Sequence, residues 1–233
     1  MRRALGWAML IAAAAVALAA ALLAAPSFVH PDASGYRSEA ADAGGAFPEI
    51  DWEGLRLANP DIVGWVKVPG TNIDAPICQA RPDDPERYLQ TAYDGSPSRA
   101  GCPYLDATCE EKGLGSAMPI VLGHSLLDGS MLTDFKEMSD AGYADGHAEI
   151  MLMSPEGNRM LEVACVKVVD ADVAQKVTGV KDASAAADLL RAEEQDADVV
   201  RMPPKRSEQV FLFVTCSYQT GNSRTLVYAV QER

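Results

Sequence analysis

The sequence predicts a mostly β domain, a barrel or sandwich with helical insertions, preceded by one N-terminal transmembrane helix. Three observations carry this. Short runs rich in Val, Ile, Leu and aromatic residues recur from Ile62 onward, separated by Gly, Pro, Asn and Asp. Only two or three segments read as helices, and many short strands with few helices suit a barrel or a sandwich. Ala4–Ala25 is an uninterrupted stretch without charge, matching the roughly 20 residues a helix needs to cross a bilayer.

Taken in order, Arg2 and Arg3 precede that stretch and should stay cytoplasmic, placing the rest of the chain outside. A cleaved signal peptide is the alternative, because Ala19-Ala20-Ala21 offers a small-residue site. The apolar region of a signal peptide usually runs to about 7–15 residues, however, and this one is longer. Residues 1–25 are thus read as cytoplasmic arginines plus anchor. Residues 26–48, with their Pro, Ala, Gly, Ser and Asp, read as an extracellular linker. The folded domain occupies 49–233.

Within it, Asp51–Ala58 suits a short helix before Asn59-Pro60. Strands are expected over Ile62–Val68, Ile73–Cys78, Pro119–Leu122, Glu149–Met153, Met160–Val169, Val210–Val214 and Thr225–Val230. Val68-Pro69-Gly70-Thr71 suits a type II turn, with Pro second and Gly third. Asp83–Thr91 is predicted helical, with Pro85 near its start where a missing N–H does no harm. Lys181–Gln195 stacks Ala185 under Leu189 and Ala186 under Leu190, an amphipathic pattern.

The net charge is −13, and setting aside the +2 of Arg2 and Arg3 leaves −15 for the remainder. That balance argues against nucleic acid, which needs a basic footprint, and against docking on anionic lipid. The five cysteines are Cys78, Cys102, Cys109, Cys165 and Cys216. An odd number in an exported protein leaves at least one thiol unpaired, unless pairing is intermolecular. Without a CxxC, and with only three histidines, the chain lacks the pattern of a structural zinc site. Cys102 and Cys109, in "GCPYLDATC", are close enough to bridge across a loop; two reduced thiols are the alternative.

Cys216 is the first candidate for chemistry. It sits where the apolar run Val210–Val214 gives way to Ser217, Tyr218, Gln219 and Thr220, and a nucleophilic thiol needs such partial exposure. A buried structural cysteine is the competing reading. A hairpin closing near Gly221-Asn222 would bring Arg224 beside Cys216, where a permanent cation favours thiolate and stabilises an oxyanion. A cysteine nucleophile also needs an acid/base partner, most often histidine. His30 lies in the linker, and His147 in "ADGHAEI" could simply cap a turn. His124 follows the run Pro119–Leu122 and Gly123 at a loop opening, a plausible catalytic placement.

These residues carry a resemblance. "VLGHSLLDGSMLTDF" resembles the histidine segment of class B sortases, and "VTCSYQTGNSR" their cysteine and arginine segment. "NPDIVGWVKVPGTNIDAPICQ" is similar to the family's first barrel strands, and "PYLD" also has its counterpart. Two positions depart: Phe213-Val214 precedes Thr215-Cys216 where a Leu-Ser/Thr pair is usual, and Leu122 stands where an aromatic residue often precedes Gly-His.

The resemblance implies a closed eight-stranded β-barrel with helical insertions, exported by a Gram-positive-type cell and anchored in its membrane. It implies that Cys216 attacks a peptide bond in a C-terminal sorting signal of a surface protein, forming a thioester. His124 would protonate the departing amine and Arg224 would stabilise the oxyanion or position the substrate. Thr215 and Ser217, flanking the cysteine, are the expected substrate-binding residues. The thioester would pass to an amine of a cell-wall peptide, or of a pilin, and no metal or organic cofactor is required. A cysteine endopeptidase transferring to water and a non-enzymatic, membrane-tethered binding module are the alternatives. The endopeptidase would lack the Cys-Gly-x-Cys-Trp pattern of papain-like enzymes.

Overall fold

The computed structural model describes residues 30–38, 47–172, 180–201, 209–217 and 221–231. Strands β1 (Ile62–Lys67), β2 (Asp74–Gln79), β3 (Tyr104–Leu105), β4 (Ile120–Gly123), β5 (Glu149–Met153), β6 (Arg159–Asp170), β7 (Val199–Val200), β8 (Gln209–Ser217) and β9 (Ser223–Gln231) share one sheet. Its order is β5-β1-β2-β3-β4-β8-β9-β6-β7, and β5 also pairs with β6. That extra pairing closes eight strands into a ring, with β7 attached beside it. Pairing is antiparallel except at β2–β3 and β4–β8.

Alternation along the strands explains how the barrel is filled and covered. On β8, Phe211 and Phe213 join Val66, Ile77, Val121, Leu132 and Phe135 in the interior cluster. Their neighbours Val210 and Leu212 face the other way, into a cluster with Ala186 and Leu190. Those two come from helix α3, Ala183–Glu193, so this part of the sheet is apolar on both faces. Burying one side chain of this size contributes about 1.5–3 kcal/mol. Elsewhere, Leu55 from helix α1, Trp52–Ala58, packs with Trp65, Cys78 and Met153 in a third cluster. Helix α2 is the short Ala141–Gly146.

Local chemistry sets the element ends. Asp51 caps α1 by accepting the Gly54 N–H at 2.9 Å, and the Asp182 side chain caps α3 through Ala185 N at 2.9 Å. The Val68–Thr71 turn forms as expected, with Gly70 at φ 77° and Thr71 N donating to Val68 O at 3.2 Å. The predicted helix over Asp83–Thr91 does not form. The segment is a series of turns, with a 3-10 helix only at Arg87–Leu89, and Tyr88 is its one buried anchor. A single buried side chain cannot stabilise so short a helix.

The Ala4–Ala25 stretch lies outside the described residues, and no helix among the described residues is long and apolar enough to cross a membrane. Residues 30–38, read as linker, lie against the barrel: Arg37 bridges to Ile50 and pairs with Asp74 at 2.9 Å, and Tyr36 meets the Tyr93 ring edge-on.

Candidate active site

Three strand ends build the site. In the antiparallel β8–β9 ladder Cys216 stands directly opposite Arg224, and side chains directly opposite each other share a face. In the parallel β4–β8 ladder Gly123 pairs with Thr215, so the next residues, His124 and Cys216, leave the sheet side by side. Parity continues the pattern. Ile120, Leu122 and His124 lie along β4 and its exit, Leu212, Val214 and Cys216 along β8, and Arg224 and Leu226 along β9. The same face that carries the apolar cluster beneath α3 thus ends in a thiol, an imidazole and a guanidinium. All eight residues line one groove of about 480 Å³.

Cys216 is half-buried, whereas the other four cysteines are buried. The His124 Nε2 lies 2.9 Å from the Leu89 carbonyl oxygen. A carbonyl only accepts, so Nε2 carries a proton in this contact and Nδ1 is the nitrogen left to exchange one. The loop after His124 is closed on itself. Leu132 N donates to His124 O at 3.0 Å, Ser125 and Met131 form a bridge, and Ser130 N and Oγ donate to Asp128 Oδ1 at 3.0 and 2.6 Å. Met131, at φ 60°, is a non-glycine residue in the left-handed region within this closure. Arg224 Nη1 donates to Asn222 Oδ1 at 3.1 Å and to Ser223 O at 3.0 Å, which orients the guanidinium.

Thr215 and Ser217 point to the opposite face from Cys216. Thr215 is 1% exposed and its hydroxyl donates to Gly123 O at 3.1 Å. Ser217 is 0% exposed, 3.0 Å from Ser223 Oγ, and does not line the groove. Their hydroxyls hold the strand ends together, and Thr215 but not Ser217 is among the residues lining the groove. Glu86, Leu89, Tyr104, Val169 and Ala171 also line the groove. Sequence reading did not assign these to the site. Tyr104 could have been found through the Tyr104↔Leu122 register, but a carbonyl such as that of Leu89 has no side-chain signature. Burial above all, then Asp106, Glu86 and Cys216, pushes the Tyr104 phenol well above its ordinary range. It stays a neutral hydroxyl at the groove floor.

His147, read as a residue that could cap a turn at a strand start, ends a short helix instead. It follows α2, its Nδ1 is 2.9 Å from Tyr143 O, and it stacks on the Tyr143 ring at 4.2 Å. The Cys102–Cys109 bridge is not formed: all five cysteines are free thiols. Cys109 belongs to the barrel interior, its Sγ 3.9 Å from Met118 O, while Cys102 belongs to the cluster on the α1 side. Among the described residues no group of three or more His, Cys, Asp or Glu side chains is placed to hold a metal ion.

A thiol, an imidazole and a guanidinium on one groove are the groups with which a protein can carry out cysteine acyl transfer. Comparison with known proteins finds relatives over part of the chain. The chain is 31% identical to sortase B of Listeria monocytogenes over 112 residues, 48% of this chain and 44% of the relative. It is 28% identical to sortase B of Staphylococcus aureus over 112 residues, 48% and 45% of the two chains. The match thus spans less than half the length of these curated relatives. Among solved structures, sortase B of Clostridium perfringens superposes with a TM-score of 0.68 at 22% identity, covering 78% of this chain and 87% of the other. The Staphylococcus aureus sortase B–substrate complex gives 0.68 at 20%, covering 78% and 85%. A sortase B complexed with triglycine gives 0.64 at 20%, covering 78% and 86%. No family model matches the chain. The chain thus shares its fold with sortase B structures and is similar over about half its length to curated sortase B proteins, in keeping with the resemblance read from its motifs.

Proposed function

We propose that this chain is a sortase-type cysteine transpeptidase that cleaves a sorting signal near the C-terminus of a surface protein and joins the new acyl end to an amine. The observation that carries the proposal is the register placing Cys216 opposite Arg224 and beside His124 on a single groove. The Cys216 sulfur attacks the scissile carbonyl as the thiol proton passes to His124 Nδ1. The oxyanion of the tetrahedral intermediate develops within reach of the Arg224 guanidinium, and His124 delivers a proton to the departing amine as the thioester forms. An incoming amine, its proton taken by His124, then attacks the thioester and restores the thiol. The solved sortase B complexes with substrate and with triglycine support a peptide donor and an amine acceptor for this fold. An acceptor on a cell-wall peptide, or on a pilin, uses the same chemistry.

The setting is part of the proposal. Ala4–Ala25 holds the protein in the cell membrane as a single-pass anchor, with the domain outside; its length and the two preceding arginines support this.

The test combines the purified protein, peptides carrying candidate sorting signals and a panel of short amines, read by mass spectrometry. The wild type yields an amide-linked product that grows at the expense of the hydrolysed one as amine concentration rises. Cys216→Ala yields neither product while retaining the wild-type fold. Cleavage by Cys216→Ala overturns the mechanism, and cleavage with only water ever accepted makes the protein an endopeptidase.

A further inference from the structure

Two cysteines outside the groove lie together. Cys78 is on β2 and Cys102 in the loop leading to β3, and their sulfurs are 3.5 Å apart. Both are buried, at 0% and 5% exposure. Cys109 and Cys165 sit in other clusters, the interior and the α3 side, and Cys216 belongs to the groove. We propose that Cys78 and Cys102 are a disulfide pair, closed by exchange with an external disulfide, which staples the loop forming one wall of the groove.

The main chain supports the pairing. Cys78 N donates to Pro103 O at 3.0 Å and Cys102 N donates to Tyr88 O at 3.0 Å, so both backbones are held where their sulfurs meet. Bond formation requires the sulfurs to approach from 3.5 Å to about 2.05 Å. Gly101 limits where that movement goes. It stands at φ 63° where an added Cβ would run into Tyr88 O, so the backbone just before Cys102 is closely packed and the approach falls mainly to the side chains.

Access is unequal. Cys102 lines a crevice of about 210 Å³ between the His30–Arg37 segment and the barrel, and Cys78 does not. The Cys102 thiolate is therefore the entering nucleophile. It attacks an external disulfide, expels one thiolate and becomes a mixed disulfide; Cys78 then attacks the Cys102 sulfur and expels the second. Two protein thiols and one disulfide become one protein disulfide and two external thiols, the two protons going to the expelled thiolates. Burial, followed by the Cys78 contact, pushes the Cys102 thiol well above its ordinary value. Oxidation is accordingly slow in the closed protein and rapid while the loop is still folding.

The bond reaches the groove through two contacts. Tyr88 O holds Cys102, and the adjacent Leu89 O holds His124 Nε2 at 2.9 Å. The ring closed by the staple also contains Glu86. Oxidation thus fixes the wall that positions the histidine.

The experiment takes the full-length protein, fully reduced, through unfolding and refolding with oxidised glutathione. Alkylation in denaturant without reductant and tryptic mapping follow. The expected product links the peptide of residues 68–87 to that of residues 100–112, with Cys109 in the latter still alkylated. The oxidised protein should melt on the order of 10 °C above the reduced one, and Cys102→Ala should abolish both link and difference. Alkylation of all five cysteines after oxidation, a Cys102–Cys109 link, or a glutathione adduct on Cys102 that never closes would each overturn the proposal. These readouts need no substrate and stand apart from the catalytic activity.

Discussion

Gly123 is the hinge between strand β4 and the histidine, and Gly123→Ala tests how tightly the two are set. A Cβ built there would lie 2.8 Å from Leu132 Cγ and 2.9 Å from Leu132 Cδ1. Carbon atoms rest at about 3.5–4.0 Å, so Leu132 has to retreat by roughly 0.6 Å or more. It has little freedom to do so: it is 0% exposed and its N–H is bonded to His124 O at 3.0 Å. Overpacking of this kind costs about 1–3 kcal/mol, which lowers the melting temperature by roughly 2–12 °C for a domain of this size. Calorimetry of the wild type, Gly123→Ala, Leu132→Ala and the double variant measures the coupling. Leu132→Ala alone should cost about 2–5 kcal/mol. The double variant should cost less than the sum by about 1 kcal/mol, since the new methyl enters vacated space. A single variant that melts with the wild type, or a cycle that closes additively, would refute the reasoning.

Two other perturbations separate charge from geometry. Arg224→Lys should lose about 10²–10³ in kcat/KM on a cleaved sorting peptide, because an ammonium cannot reproduce the directional guanidinium fork; near-native turnover would mean positive charge alone suffices. Burial opposes ionisation of Asp61, but the hydrogen bonds from Arg81 and Tyr88 outweigh it and hold the carboxyl below its ordinary value. Because the folded pKa is the lower one, this stabilisation is complete well above the unfolded value of about 3.9 and is lost as pH falls below it. The melting-temperature gap between the wild type and Asp61→Asn should therefore shrink from pH 5 to pH 2, and a constant gap would contradict the assignment.

The long strands were legible because their apolar runs are continuous: Glu149–Met153 was placed to the residue, and β6, β8 and β9 extend one to three residues beyond the expected runs. Tyr104–Leu105 and Val199–Val200 were not, since two residues carry no period and owe their pairing to neighbours distant in sequence. Asp83–Thr91 misled because Pro85 looked like a helix start, while the real determinant was the pocket that receives Tyr88. In the site, the convergence of Cys216 and Arg224 followed from one hairpin, and that of His124 from the family resemblance. The orientation of Thr215 and Ser217 was also available, since alternation along the strand turns them away from Cys216. The Leu89 carbonyl and the Cys78–Cys102 contact were hidden, as both depend on how a loop between distant strands folds back on itself.

Because the barrel closes, β8 is paired with β9 through Ser217 and with β4 as far as Thr215, which leaves only its last two residues with one open edge. An extended peptide therefore has too little free edge beside Cys216 to add a strand of any length, the mode in which main-chain hydrogen bonds give affinity whatever the sequence. It has to lie across the groove and be recognised by side chains. Selectivity then resides in positions such as Glu86, Leu89, Val169 and Ala171, on a loop and at a strand end, where substitution leaves the barrel ladder intact. A change of preferred signal could be reached at the groove's walls while the strands that set the nucleophile, imidazole and guanidinium keep their register.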